Sequence, residues 1–328
     1  MTGGVVSTPE QLQALREQLP TLGAGLPAPP ELAAYCQYYG IDFTTRYPSV
    51  THEVGHITSG DYTLAVHQWC VPAARANLLV LHGYFDHTGL FSKLIDWGLA
   101  HHCNVLIFDL PGHGLSSGDP AVIDDFGDYS RAIDDVLRAA SLPVLPLWVM
   151  AQSTGGAALV DYAQKYDWPF AATVLLAPLV RPAGWRWVSP VQRVLSVFTD
   201  SIGRTFAVNS SDREFLAFIK RDPLQCHRIS LRWLAALRRW LGDLQPHDLG
   251  VGPALVIQGD ADGTVDWRYN MPVIAQLFPD SQIAYLPGAG HQLANESAAI
   301  REMYLQSVQS WLAECGILLN EPSVIVAS

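Results

Sequence analysis

The chain opens with apolar positions at helical spacing. Leu12, Leu15 and Leu19 share one face of a segment that Thr8 can cap, with Pro9 at its first position and Gln11 completing a capping box, and Pro20 ends it. A Pro- and Gly-rich stretch leads to Pro30, and a second short helix is expected near residues 32–39. From about Phe43 the period shortens. Residues 53–58 and 62–69 alternate around Ser59-Gly60-Asp61, which predicts a β-hairpin. Beyond it, short apolar runs at 78–81, 105–108, 147–150, 172–176, 254–257 and 283–286 are uninterrupted rather than alternating, as in strands buried on both faces of a parallel sheet. Phe126, Tyr129, Ile133, Val136 and Leu137 mark one face of an intervening helix. This βαβ rhythm predicts a doubly wound, mostly parallel α/β sheet with its reactive residues on loops at the carboxyl ends of strands.

The rhythm breaks between Leu179 and about Gly250, in a Trp- and Arg-rich stretch of helical periodicity that reads as an insertion between two sheet strands. The expected organisation is a helical extension over 1–42, a first core part over 43–180, a helical lid over 181–249 and a second core part over 250–328. A length of 328 residues suits one large domain with such an insertion, and 49% apolar residues against 16% charged ones argue against disorder. A net charge of -11 without a long basic run argues against nucleic-acid binding. Cys36, Cys70, Cys103, Cys226 and Cys315 have no metal-like spacing and read as reduced, mostly buried thiols. Residues 1–10 show no secretory signal and no apolar run suits a membrane span, so a soluble, cytoplasmic protein is expected.

The chemistry centres on residues 147–156, Leu-Trp-Val-Met-Ala-Gln-Ser-Thr-Gly-Gly. An apolar strand runs into a serine flanked by small residues, and a helical pattern follows. A sharp strand-to-helix turn needs small side chains two before and two after its apex, and Ala151 and Gly155 meet that need. Such an apex lifts the Ser153 hydroxyl clear of the sheet and aims the Thr154 amide at an oxyanion beside it. A serine nucleophile needs a base, and the base needs an orienting acid. His291 follows the last strand in a glycine-rich turn, and Asp260, Asp262 and Asp266 compete for the acid on the loop after the strand at 254–257. Asp260, at the strand end, could simply cap the turn. The run from Leu79 to Tyr84 ends a strand and turns at Gly83, so the Tyr84 amide is the expected second oxyanion donor. His82 is expected to be structural rather than a base.

These pieces resemble the α/β-hydrolase superfamily, and within it the monoacylglycerol lipase and lysophospholipase branch that includes serine aminopeptidase-like members. The resemblance rests on five ordered motifs: Leu81-His82-Gly83-Tyr84-Phe85-Asp86-His87-Thr88-Gly89, residues 108–116, the Ser153 elbow, Gly259-x-x-Asp262 and Gly290-His291. It implies the triad Ser153, Asp262 and His291, ranks Asp262 over Asp260, and places Tyr84 and Thr154 at the oxyanion hole. His82, Gly83, Gln152 and Gly155 are expected at the elbow and substrate site. Ala151 stands where the family usually has Gly, and Gln152 where its lipases commonly have His; both bear on the substrate. No metal or organic cofactor is implied.

The insertion carries eleven of the chain's twenty Lys and Arg between Arg181 and Arg239, against four acids, for +7. At helical spacing Trp233, Leu234, Leu237, Trp240 and Leu241 share a face opposite Arg228, Arg232 and Arg239. A basic amphipathic helix with interfacial tryptophans predicts either a lid closing on the pocket or peripheral contact with anionic membrane. The expected reaction is hydrolysis of a small-molecule ester through an acyl-enzyme. The rivals are an amidase or peptidase on the same triad and a non-catalytic ligand-binding homologue.

Overall fold

The computed structural model describes residues 8–317. Residues 1–7 and 318–328, the ends of the expected N-terminal extension and of the second core part, lie outside the described residues. Helix α1 (Pro9–Gln18) starts on the expected capping box: Thr8 Oγ1 accepts from the Gln11 amide, and the Gln11 side chain accepts from the Thr8 amide at 2.8 Å. Helix α2 (Glu31–Tyr39) ends on Gly40 in the left-handed region, and a single turn, α3 (Phe43–Arg46), precedes the sheet. Strands β1 (Thr51–Ser59) and β2 (Tyr62–Cys70) form the predicted hairpin, turning at Gly60-Asp61.

The chain then alternates β3 (Ala76–Leu81), α4 (Ser92–Ala100), β4 (Cys103–Phe108), α5 (Gly127–Ala139), β5 (Leu147–Gln152), α6 (Thr154–Lys165) and β6 (Phe170–Leu176). After an insertion holding α7 (Trp185–Leu195), β7 (Ser201–Gly203), α8 (Arg213–Ile219), β8 (Arg228–Ser230) and α9 (Leu231–Asp243), it resumes with β9 (Ala254–Gly259), α10 (Trp267–Leu277), β10 (Gln282–Leu286) and α11 (Ala298–Glu314). The main sheet has the order β1-β2-β4-β3-β5-β6-β9-β10. β2 is antiparallel to both its neighbours, and the remaining pairs are parallel. Each of the six apolar runs lies inside one of these strands.

Burial explains why those runs do not alternate. In β3, Leu78 and Val80 join a core shared with α1, α2, α4 and α11, while Leu79 and Leu81 join one shared with α5, α6 and α10. Both faces are dry, so every position favours an apolar side chain.

The insertion sits between β6 and β9, but it is not wholly helical. β7 and β8 pair antiparallel, a contact between distant segments that periodicity could not show. Ser230 caps α9 by accepting from the Trp233 amide at 3.1 Å, so the helix starts at Leu231 and Arg228 belongs to β8 rather than to the helix. The expected apolar face exists, but its tryptophans are not interfacial. Trp233 and Trp240 are buried against the body, their indole N–H groups donating to Tyr129 Oη and Asp161 Oδ1, both at 3.1 Å. Arg232 pairs with Asp119 and Asp124. The cysteines are free thiols: Cys36 and Cys103 are buried, which pushes each thiol up to about 12, Cys70 and Cys226 are half-buried, and Cys315 is exposed. The expectation of mostly buried thiols holds for two of the five. Among the described residues, no helix is long and apolar enough to cross a membrane.

Candidate active site

The turn from β5 into α6 is strained as a sharp apex requires. Ser153 has φ 51° and ψ −113°, a region costly for a side-chain-bearing residue. Hydrogen bonds to the neighbouring strand end hold it there: the Ser153 amide donates to Leu176 O at 2.9 Å, and Ser153 O accepts from the Leu179 amide at 3.0 Å. Gly155 is obligatory, since a Cβ there would lie 2.7 Å from Leu81 O and 2.8 Å from His82 O. Ala151, fully buried within β5, shows that the position two before the apex tolerates a methyl.

Three distant side chains form a continuous hydrogen-bonded line at the carboxyl edge of the sheet. His291 Nε2 is 2.9 Å from Ser153 Oγ, and His291 Nδ1 is 2.8 Å from Asp262 Oδ2. All three are buried. Burial opposes charge on Asp262, but the facing imidazole, the Thr264 amide and the Gln258 side chain together hold its carboxyl below the usual carboxylate range. The competing acids are engaged elsewhere: Asp260 accepts from the Gly288 amide at 2.7 Å, and Asp266 pairs with Arg181 at 2.7 Å.

A second set of contacts holds the histidine loop in place. Gln152 Nε2 donates to His291 O and to Gln292 Oε1, both at 3.1 Å, while its Oε1 accepts from the Ala294 amide at 3.0 Å. Gln292 in turn donates to both oxygens of Asp86. Burial pushes the Asp86 carboxyl up.

Ser153, His291, Gly83, Tyr84 and Thr154 all line one cavity of about 310 Å³. The amides of Tyr84 and Thr154 donate to no acceptor among the described residues. The Tyr84 ring stacks on Trp233 at 3.9 Å and its hydroxyl donates to Ala121 O at 2.8 Å, which ties this loop to the insertion. His82, Gln152 and Gly155 do not line the cavity and belong behind it. His82 Nε2 accepts from the Leu110 amide at 2.9 Å and Nδ1 donates to Gly83 O at 2.8 Å, while burial lowers its imidazole to about 3, keeping it neutral. The cavity wall combines apolar Leu179, Val188, Ile202, Ile229 and Leu234 with polar Arg204, Thr205, Asn209 and Gln292.

Sequence reasoning missed one structural centre. His87 Nε2 lies 2.8 Å from Asp222 Oδ2, and Asp222 Oδ1 accepts from Tyr39 Oη at 2.6 Å. This buried cluster joins α2, the loop after β3 and the insertion. His87 stands within a quoted motif, but Asp222 has no local signal to mark it as a partner.

The family model for serine aminopeptidase, S33, matches residues 72–298. A monoacylglycerol lipase of Mycolicibacterium smegmatis is 25% identical over 250 residues, covering 73% of this chain and 88% of that protein. The Homo sapiens monoglyceride lipase is 24% identical over 286 residues, covering 82% and 91%. Among solved structures, a soluble variant of the Saccharomyces cerevisiae monoglyceride lipase in complex with a substrate analog superposes with a TM-score of 0.68 at 19% identity, covering 80% of this chain and 95% of that one. A Paleococcus ferrophilus monoacylglycerol lipase gives 0.65 at 19% identity, covering 77% and 99%. Both share the α/β-hydrolase fold seen here.

Proposed function

The chain belongs to the serine aminopeptidase S33 family of α/β-hydrolases, and on that premise we propose that it hydrolyses carboxylic esters through an acyl-enzyme on Ser153. Ser153 Oγ attacks the ester carbonyl while His291 Nε2 takes its proton. Asp262 holds the imidazole in the tautomer with the proton on Nδ1 and stabilises the imidazolium as it forms. The Tyr84 and Thr154 amides donate to the tetrahedral oxyanion. His291 returns the proton to the leaving alcohol oxygen, then activates a water that releases the acid. The observation that carries this reading is the unbroken Ser153–His291–Asp262 line opening on a cavity with two free amides.

Lipid-like or small acyl esters suit the apolar side chains of the cavity wall, and several relatives bear the name of monoacylglycerol or monoglyceride lipase. A peptidase reading is less well supported. Among the described residues Asp86 is the one carboxylate lining the cavity, and it is already engaged by Gln292. A panel of p-nitrophenyl esters of rising acyl length, with monoacylglycerol, lysophospholipid and an aminoacyl amide beside it, tests the assignment. Ester turnover that Ser153→Ala reduces by several orders of magnitude supports it. Amide turnover exceeding ester turnover, or full activity in that variant, contradicts it.

A second proposal concerns membranes. The exposed apolar strip lies on α7 and just after it, at Trp187, Val191, Val194, Val197 and Phe198, beside exposed Arg186 and Arg193. Large apolar side chains between cations suit an anionic bilayer surface. Stronger pelleting with anionic than with neutral vesicles, weakened by Trp187→Ser with Phe198→Ser, is the expected result; equal pelleting rejects it.

A further inference from the structure

The cavity beside Ser153 holds one guanidinium that ester hydrolysis does not use. Arg204 is the single Lys or Arg among the lining residues. Its guanidinium carbon lies over the Phe85 ring at 3.9 Å and the Phe206 ring at 4.5 Å. Its hydrogen bonds run from Nη1, to Gln225 Oε1 at 2.9 Å and Cys226 O at 3.0 Å. That arrangement fixes the guanidinium plane and leaves Nε and Nη2 without an acceptor among the described residues. Asp86, which also lines the cavity and attracts the guanidinium through space, makes no ion pair with it; its two oxygens accept from Gln292 Nε2. A half-buried cation held by ring stacking and by two hydrogen bonds from Nη1, with donors to spare and no ion-pair partner among the described residues, is an anion-binding geometry.

Its position identifies which half of the substrate it meets. The segment from Arg204 runs along the cavity to Asn209, whose backbone O accepts from the Gln292 amide at 2.8 Å, one residue past His291. A leaving oxygen must lie within reach of His291 Nε2 to be protonated, so this segment flanks the alcohol half of the ester. Asn209 also lines the cavity.

We propose that Arg204 is a specificity residue that recognises an anionic oxygen group, phosphate or carboxylate, on the alcohol portion of the ester. This rests on the ester-hydrolase reading above. The test is the ratio of kcat/KM for paired substrates of one acyl chain: 1-acylglycerol 3-phosphate against 1-acylglycerol, and the acyl ester of glycerate against the same neutral compound. The wild type is expected to favour at least one anionic partner. Arg204→Gln should lower that ratio about 10- to 100-fold, the scale of a lost charge-assisted hydrogen bond, mainly through KM. Arg204→Lys should retain part of it, because a cation remains. A wild type without anionic preference, or a ratio that Arg204→Gln leaves unchanged, overturns the proposal, as does an equal fall on charged and neutral substrates. Those results would leave ester hydrolysis standing. Failure of the wild type to hydrolyse any of the three would overturn the ester-hydrolase reading itself.

Discussion

Gly155→Ala concentrates the demands of the elbow in one methyl group. The added Cβ would sit 2.7 Å from Leu81 O, 2.8 Å from His82 O and 2.9 Å from Leu81 C, where ordinary contact begins near 3.4 Å. Every obstructing atom is backbone, so no rotamer relieves the clash. Either the start of α6 or the end of β3 must yield by about 0.7 Å. Overpacking of this kind costs about 1–3 kcal/mol, or a fall in Tm of roughly 2 °C per kcal/mol in a chain this long. The movement also displaces Ser153 Oγ and the Thr154 amide relative to the Tyr84 amide. Misplacement on the scale of 1 Å at a reacting centre can cost about 10²-fold. Steady-state kcat on a p-nitrophenyl ester, corrected for the folded fraction and read beside Tm, provides the assay. A fall in kcat of roughly ten- to a hundredfold with a modest fall in Tm is expected. Wild-type kcat at unchanged Tm would show that the elbow does not pack as argued.

Asp262→Asn keeps the shape but removes the charge that faces His291 Nδ1, so the imidazole can adopt the wrong tautomer; kcat should fall about 10⁴-fold with little change in circular dichroism. Asp222→Asn leaves His87 in a dry site without its hydrogen-bonded anion and should cost about 3–5 kcal/mol by denaturant unfolding. Its pH dependence has a defined sign. Burial disfavours charge on both groups, yet their mutual attraction lowers Asp222 from 3.8 and raises His87 from 6.5. The Asp222 contribution is therefore present above pH 3.8 and lost as pH falls through its folded value. The His87 contribution is complete below pH 6.5 and lost as pH rises through its raised value. The stability gap between wild type and D222N should be widest between those limits; a gap independent of pH would contradict the pairing.

The parts of this architecture that were legible in the sequence are those set by local burial. The six sheet runs were readable because Leu78 to Leu81 and their equivalents pack apolar side chains on both faces. The elbow was readable because its apex restricts the residues around Ser153 to small ones. Asp262 could be separated from Asp260 by family resemblance, not by any local feature; the coordinates add the reason, since Asp260 spends its oxygen on the Gly288 amide. What stayed hidden was non-local. Periodicity found the apolar face of α9, but whether Trp233 and Trp240 met lipid or protein depended on Tyr129 and Asp161, about eighty or more positions away. The Asp222–His87–Tyr39 cluster and the placement of Arg204 over Phe85 depend on how the insertion folds back, and no spacing encodes that.

The central claim, that the hydroxyl at position 153 is an activated nucleophile, is tested most directly by native labelling with a fluorophosphonate followed by intact-mass and peptide-mass analysis. The account predicts one adduct per chain, located on Ser153 and absent from Ser153→Ala. No adduct on the folded wild type, or one that persists in that variant, would contradict it.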